Sequence, residues 1–180
     1  MYLNVNGQEV QILHATADDW EGAMALAWRT FSQFEALYYP PEGCESFIEF
    51  ISGNDLRKMF MMGRYRMFVA KCDEKLVGLI SIREHNHISL LFVDSAYQSS
   101  GIGRALLKAA EDYLWDRDIL PLDNEEDMIL DILYNKEEEH FVTVNAAPSA
   151  VQFYIRCGFE QEGPQMEDSG IIYVPLRIRE

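Results

Sequence analysis

The amino-acid sequence predicts one α/β domain, spanning residues 1–180, with a mixed, mostly antiparallel sheet flanked by helices. The length suits a single domain, and a hydrophobic content of 48% indicates a globular chain with a sizeable core. Strand-like and helical patterns alternate along the chain. Three consecutive strands are joined by tight turns at "DEK" and "REHN", which predicts antiparallel pairing. We place these strands at about Arg66–Cys72, Leu76–Arg83 and His87–Asp94.

The N-terminal third predicts a strand followed by helices. "EVQILHA" has a strand pattern. "TADDWEGAMALAWRTFSQF" predicts a helix capped at Thr16, with Asp19 three residues on as an approximate capping box. "CESFIEFISGNDLRKMFMMG" predicts one or two short helices ending at Gly63.

The C-terminal half continues the alternation. Helical spacing after a glycine turn predicts a buried stripe of Ile102, Leu106, Ala109 and Tyr113. Pro121 breaks the chain, and "DMILDILYN" fits a helix or a strand. "HFVTVNA" predicts a strand, "SAVQFYIRCGF" a helix stopped by Gly158, and "GIIYVPLRI" a final strand.

Charge and composition limit the function classes. The net charge of −15 opposes binding to nucleic acid or to an anionic membrane and favours a cationic partner. No apolar run reaches the ~18 residues of a membrane helix, and we expect no signal peptide. The few, widely spaced cysteines indicate free thiols in a reducing cytoplasm: Cys44, Cys72 and Cys157. The acidic run Glu111–Glu139 favours a solvated face or mobile insertion over a role in substrate steering.

A metal site is the first alternative that the histidines raise. His85 and His87, two apart, would face the same side of a strand and could share a metal. No nearby cysteine or third histidine completes a ligand set, since His14 and His140 are remote in sequence. We therefore expect no metal.

The glycine turn "QSSGIG" carries the main functional signal. It follows the strand "ISLLFVD" and opens the helix "RALLKAAEDYL". A helix N-terminus supplies convergent N–H groups and a positive dipole end, and glycines let a phosphate approach the backbone. The turn is neither a Walker loop nor a dinucleotide fingerprint. Taken alone, it fits a phosphate cradle or a tight connection without a ligand.

Two motifs together resemble a known family. "HISLLFVDSAYQSSGIGRALL" is similar to the acetyl-CoA-binding core of the GNAT N-acetyltransferases, whose signature is Gln/Arg-x-x-Gly-x-Gly/Ala. "VNAAPSAVQFYIRCGF" resembles the second core motif of that superfamily, ending in Tyr-x-x-x-Gly-Phe. The resemblance covers about Phe68 to the C-terminus and implies a GNAT-like acyl-CoA N-acyltransferase fold.

The resemblance implies a site for acetyl-CoA. The coenzyme's pyrophosphate would be held by Arg104 and by the backbone amides of Gln98, Ser99, Ser100, Gly101, Ile102 and Gly103. Phe92 and Val93 would pair with the pantetheine arm, and Asn145 and Ser149 would lie on its far side. The family's usual asparagine position is Ala147 here, which leaves open whether Asn145 replaces it.

The resemblance also implies catalytic groups. Tyr154 matches the family's general acid, which would protonate the departing thiolate; the alternative is a half-buried helix tyrosine. Histone-acetylating members carry a glutamate eleven residues before the glycine motif, and that position is His87. An imidazole suits a general base, with Glu84 as the rival; otherwise His87 only closes the turn.

These expectations combine into one hypothesis. The chain would be an acetyl-CoA-dependent N-acetyltransferase in which a primary amine attacks directly within a ternary complex. We expect Cys157 to be a packing residue rather than a nucleophile. The alternative is a catalytically silent module that keeps acyl-CoA as a sensor or structural ligand. The acceptor stays open, with a weak preference for a cationic small molecule, and a homodimer is among the assemblies left open.

Overall fold

The sheet and helices follow the predicted order. The structure, a computed structural model, describes residues 1–84, 86–115 and 141–180. Its strands are β1 (Tyr2–Val5), β2 (Gln8–His14), β3 (Arg66–Cys72), β4 (Lys75–Arg83), β5 (His87–Val93), β6 (Phe141–Ala146), β7 (Glu160–Gln161), β8 (Met166–Asp168) and β9 (Ile171–Arg179). Its α-helices are α1 (Trp20–Phe34), α2 (Pro41–Ser52), α3 (Asn54–Met61), α4 (Ile102–Trp115) and α5 (Val151–Arg156). None of the helices in these ranges is long and apolar enough to cross a membrane.

The predicted mixed, mostly antiparallel sheet is confirmed. The strand order is β1-β2-β3-β4-β5-β6-β9-β7, and β8 pairs with β9. The pairs are antiparallel, except that β5 and β6 run parallel. The predicted hairpins β3–β4 and β4–β5 form, with the last strand ending at Val93, one residue before the predicted bound.

The parallel strands β5 and β6 separate soon after they meet. Their pairing is confined to His87 with Thr143 and Ile88 with Val144. In the β4–β5 ladder, Ile82 pairs with Ile88 and Ser81 with Leu90, so Ser89 has no partner in β4. Such a bulge bends its strand. The free edge of β5 after the bulge therefore opens a gap beside β6.

Helices cover both faces of the sheet. On one face, α4 packs against the sheet through buried residues that include Ile102, Leu106 and Tyr113, as predicted. Ala109, also in the predicted stripe, is partly buried against the same cluster. Val151 and Phe153 of α5 join the same cluster. The other face is covered by α1, α2 and α3, whose buried residues form a second cluster with those of β3, β4 and β5.

Helix ends differ in detail from the prediction. A 3₁₀ turn (Ala17–Asp19) follows Thr16, and α1 begins only at Trp20. The backbone N–H and hydroxyl of Thr16 both donate to the Asp19 carboxylate, at 2.8 and 2.9 Å. These bonds tie Asp19 to the residue that precedes the 3₁₀ turn, as the predicted capping box requires. The "one or two" helices are two, and the second ends at Met61 rather than Gly63. Gly158, with a positive φ, follows α5 as predicted. His85, Pro121, "DMILDILYN", His140 and the acidic run from residue 116 onward lie outside the described residues.

Candidate acyl-CoA site

A groove of about 260 Å³ lies where β5 and β6 separate. The bulge and the exposed edge of β5 form one side, with Phe92 and Val93 at its end. Gln98, Asn145 and Tyr154 also line it. The structure thus brings together five of the side chains that sequence analysis assigned to the site.

The glycine turn forms a compact loop between β5 and α4. Ser99 and Gly101 have φ angles of +59° and +89°, and the Gln98 amide donates to the carbonyl of Val93 at 3.2 Å. The Ser100 hydroxyl donates to the carbonyl of Tyr97. The first helical hydrogen bond runs from the N–H of Ala105 to the carbonyl of Gly101. The first three N–H groups of α4, from Ile102 to Arg104, therefore lack intrahelical acceptors, and the dipole end favours an anion there.

The two glycines of the turn have different tasks. A Cβ at Gly101 would meet no described atom within 4 Å, so space does not require a glycine there. Glycine is favoured at this position because the backbone has a positive φ. A Cβ at Gly103 would lie 3.5 Å from the ring of Phe153 and 3.7 Å from Val93. These are ordinary contact distances, so the packing between the end of β5 and α5 would accept a methyl group at Gly103.

Asp94 anchors this loop, a role that sequence analysis did not assign. One carboxylate oxygen accepts from the N–H of Ala96 at 3.0 Å. The other lies 2.9 Å from Arg29 of α1 and 3.8 Å from Lys75. An aspartate at a strand end, two residues before the N–H that it caps, is a turn signal that the sequence did offer.

Tyr154 is buried at the base of the groove, with 4% of its surface exposed. Its ring packs edge-on against Phe153 and Phe159, with centroid distances of 5.1 and 5.2 Å. Burial, with a smaller contribution from Cys157, raises the pKa of the Tyr154 hydroxyl far above its usual range. The hydroxyl therefore stays protonated, and it makes no hydrogen bond with the part of the chain that the structure describes.

Asn145 and Ser149 differ in their surroundings. Asn145 is exposed on β6, opposite Pro175, and lines the groove together with Ala147. Ser149 donates from its hydroxyl to Glu35 at 2.6 Å. Since Glu35 lies at the end of α1, this contact joins the helical layer to the loop that follows β6.

The two candidate bases lie at the turn between β4 and β5 and do not line the groove. Nδ1 of His87 lies 2.9 Å from the Thr143 hydroxyl. Burial and then the charge of Arg83 lower the His87 pKa, and Glu84 partly opposes them, so the imidazole is neutral at neutral pH. Glu84 is exposed, with its carboxylate 3.8 Å from Arg83. Within residues 1–84, 86–115 and 141–180, no cluster of three metal-ligating side chains occurs.

Cys157 has the properties of a packing residue. It is half-buried at the end of α5 and contacts the core cluster that holds Tyr154. Burial raises the pKa of its thiol, although the charge of Arg104 opposes the shift. A thiol with a raised pKa is a poor nucleophile at neutral pH.

The opposite wall of the groove consists of side chains that sequence analysis missed. It is built from α1, α2, their connection and the start of β9, and includes Phe31, Phe34, Glu35, Tyr39, Phe47, Ile172 and Tyr173. The rings of Phe31 and Phe47 stack at 4.0 Å. The Tyr39 hydroxyl donates to the carbonyl of Ile172 at 3.0 Å, and burial together with the charge of Glu35 raises the Tyr39 pKa to about 12.

A sequence model of the acetyltransferase (GNAT) domain matches residues 35–122 and 127–180 of this chain. The chain belongs to the GNAT acetyltransferase family. The resemblance deduced from the two motifs is thereby confirmed, and the matched residues include most of the groove lining, apart from Thr30, Phe31 and Phe34 of α1. No match was found among curated proteins.

Solved structures confirm the GNAT fold. A GCN5-related N-acetyltransferase from Rhodopseudomonas palustris superposes with a TM-score of 0.72 at 16% identity, covering 100% of this chain and 98% of its own. The PaiA N-acetyltransferase from Thermoplasma acidophilum, solved with coenzyme A, gives 0.68 at 18% identity over 95% and 99%. A spermidine N-acetyltransferase from Vibrio cholerae, solved with CoA and spermine, gives 0.60 at 22% identity over 97% and 96%.

Proposed function

We propose that this GNAT protein transfers the acetyl group of acetyl-CoA to a primary amine of a small molecule. The observation that carries the proposal is the groove itself, which is lined both by the free edge of β5 and by Tyr154, whose hydroxyl is protonated. A thioester arm needs backbone partners along its length, and its leaving sulfur needs a proton. Both are available along one continuous surface.

The donor would enter from the glycine turn. Its pyrophosphate would bind the unpaired N–H groups between Gln98 and Gly103, with Arg104 beside them. The pantetheine arm would lie along Phe92 and Val93, with Asn145 on the other side of the gap. This orientation directs the thioester towards Tyr154. The coenzyme A complex of the PaiA relative supports a CoA donor.

The reaction would proceed by direct attack. The neutral amine nitrogen forms a bond to the thioester carbonyl carbon, and the C–S bond breaks as the amide forms. Tyr154 gives its proton to the departing thiolate, and a base takes the proton that the amine loses. His87 or Glu84 would accept that proton, through water because neither lines the groove. The raised pKa of Cys157 supports a mechanism without an acyl-enzyme.

The acceptor would be a cationic small molecule. The negative charge of the chain supports this choice, as does the spermidine N-acetyltransferase that shares the fold and was solved with spermine. The free thiols of Cys44, Cys72 and Cys157 support a reducing compartment such as the cytoplasm.

The test is acetyl transfer to a panel of amines. The protein is mixed with acetyl-CoA and each amine, and the release of free thiol is measured together with the mass of the product. Amine-dependent thiol release with an increase of one acetyl group in the acceptor supports the proposal. Binding of acetyl-CoA without transfer to any amine would instead identify a silent acyl-CoA-binding module.

A further inference from the structure

The acceptor would bind against the wall of the groove that is built from α1, α2, their connection and the start of β9. Among the described residues that line the groove, one has a charged side chain. That side chain is Glu35. The other described residues that line the groove are apolar, aromatic or neutral polar, and none of these is a lysine or an arginine. An acceptor that carries a carboxylate or phosphate would therefore find no cation among the described residues of this wall, whereas an ammonium would find a carboxylate.

The position of Glu35 is unfavourable for folding, which points to a role in binding. Glu35 is the C-terminal cap of α1, and the last turn of that helix contains no basic residue. The negative end of a helix dipole disfavours a negative charge there. The glutamate is half-buried, and within the described ranges no basic side chain forms an ion pair with it. Among the described residues, the hydrogen bond that its carboxylate accepts comes from the hydroxyl of Ser149.

The surroundings of Glu35 suit an alkylammonium group. Phe31, Phe34 and Tyr39 contribute aromatic rings to the same wall, and the ring of Phe31 lies 5.5 Å from that of Tyr39. Aromatic faces attract ammonium groups and also accommodate methylene chains. Burial and then the charge of Glu35 raise the pKa of the Tyr39 hydroxyl, which is consistent with a negative charge close to this ring.

We propose that Glu35 binds the second ammonium group of an aliphatic diamine or polyamine while the first amino group is acetylated. The nitrogen that attacks must be neutral, so the ammonium held by the carboxylate is a different one. Glu35 would then select the acceptor and orient it without taking part in bond formation. This inference rests on the proposed acetyl transfer for its substrate but concerns a different residue and a separate measurement.

The test compares two acceptors of equal chain length. Cadaverine has a second ammonium, and pentylamine lacks it. In the wild-type protein, kcat/KM for cadaverine should exceed that for pentylamine by about 10- to 100-fold, the range of a charge-assisted hydrogen bond. Glu35→Gln should remove most of that preference by reducing the value for cadaverine alone. Glu45→Gln, which changes the same charge on the exposed face of α2, should leave the preference intact.

A further variant separates the charge of Glu35 from its hydrogen bond. Ser149→Ala removes the donor but keeps the carboxylate, so the ratio between the two acceptors should persist. If Glu35→Gln lowers kcat/KM for both acceptors equally, or leaves the preference unchanged, Glu35 does not bind the second ammonium.

A binding measurement separates this inference from the proposed function. Calorimetric titration of cadaverine into the complex with CoA requires no turnover. If no amine is acetylated but cadaverine binds and Glu35→Gln weakens its binding at least about tenfold, the inference holds and the proposed function fails. Equal binding of cadaverine to both proteins, or no binding to either, overturns the inference, whatever the outcome for acetyl transfer.

Discussion

The carboxylate of Asp94 joins the end of β5 to α1 through Arg29, whose Nη2 lies 2.9 Å away. The Asp94 side chain is 10% exposed, while that of Arg29 is 56% exposed. The second carboxylate oxygen caps the 3₁₀ turn (Ser95–Tyr97) that leads into the glycine turn. One residue thus connects the helical layer with the loop that is proposed to bind pyrophosphate.

Replacing Asp94 should separate these two contacts. Asp94→Ala removes the cap and the ion pair, and we expect a loss of about 1–2 kcal/mol in unfolding free energy. Asp94→Asn keeps an oxygen acceptor for Ala96 and loses only the charge. It should resemble Arg29→Met, with a loss below about 1 kcal/mol because the arginine is largely solvated. Urea unfolding measures the stabilities; equal losses in all three variants would show that the cap contributes nothing.

The two glycines of the turn should respond differently to alanine. Gly101→Ala forces a side chain into a positive φ and should lower the unfolding free energy by about 1 kcal/mol or more. Gly103→Ala places its methyl at an ordinary contact distance from Phe153 and should fold with nearly wild-type stability. Thermal unfolding without ligand measures both effects.

Gly103→Asp tests the pyrophosphate site. A carboxylate in the first turn of α4 favours the helix, so the variant should fold. The same charge repels phosphate, so acetyl-CoA should no longer raise the melting temperature as it should in the wild-type protein. A folded variant that shifts as much as the wild type would place the phosphates elsewhere.

Tyr154→Phe should slow the chemical step without weakening the fold. The ring keeps its contacts with Phe153 and Phe159, and only the proton donor is lost. We expect single-turnover acetyl transfer to fall by about 10²- to 10³-fold, within the range of general acid–base catalysis. Tyr38→Phe, a change at an exposed tyrosine outside the groove, is the control. An unchanged rate would remove Tyr154 from the mechanism.

Local sequence patterns predicted those structural features that depend on residues close together in the chain. The hairpins of β3, β4 and β5, the stripe of α4 and the turn around Gly101 follow from periodicity and turn chemistry. The bulge at Ser89 could not be predicted, because the sequence pattern of β5 does not show where an extra residue is inserted between the paired ones. The contact between Glu35 and Ser149 spans 114 residues and depends on tertiary packing.

Gly170 is another residue whose importance only the structure reveals. It has a φ of +77°, and a Cβ there would lie 2.4 Å from the backbone nitrogen of Gly43 at the start of α2. Gly170→Ala combines backbone strain with a clash that no side-chain movement relieves. We expect a loss of about 2 kcal/mol or more in unfolding free energy, measured by urea titration. Gly7→Ala, which has a similar φ but open space around it, is the control for strain alone.

The pH dependence of stability should report the environment of His87. Burial, with Arg83, lowers its pKa below the usual 6.5, so the unfolded chain binds the proton more readily than the folded chain. The stability from this residue is complete above pH 6.5 and is lost as the pH falls below that value. His87→Gln should therefore reduce the loss of unfolding free energy between about pH 7.5 and pH 5.5. The pKa of His14 is also lowered, by burial and then by Arg66, so His14 should still contribute to the loss of stability at low pH in His87→Gln.

The lowered pKa of His87 also sets the pH range in which its role as the base can be tested kinetically. If its imidazole accepts the amine proton, kcat/KM should rise with pH through an ionisation below 6.5, and the acid limb should disappear in His87→Gln. Glu84→Gln is the matched alternative, because its carboxylate lies at the same turn. A limb that survives His87→Gln and disappears in Glu84→Gln would identify the glutamate as the base. A limb that survives both would return His87 to a structural role beside Thr143 and would show that neither residue accepts the amine proton.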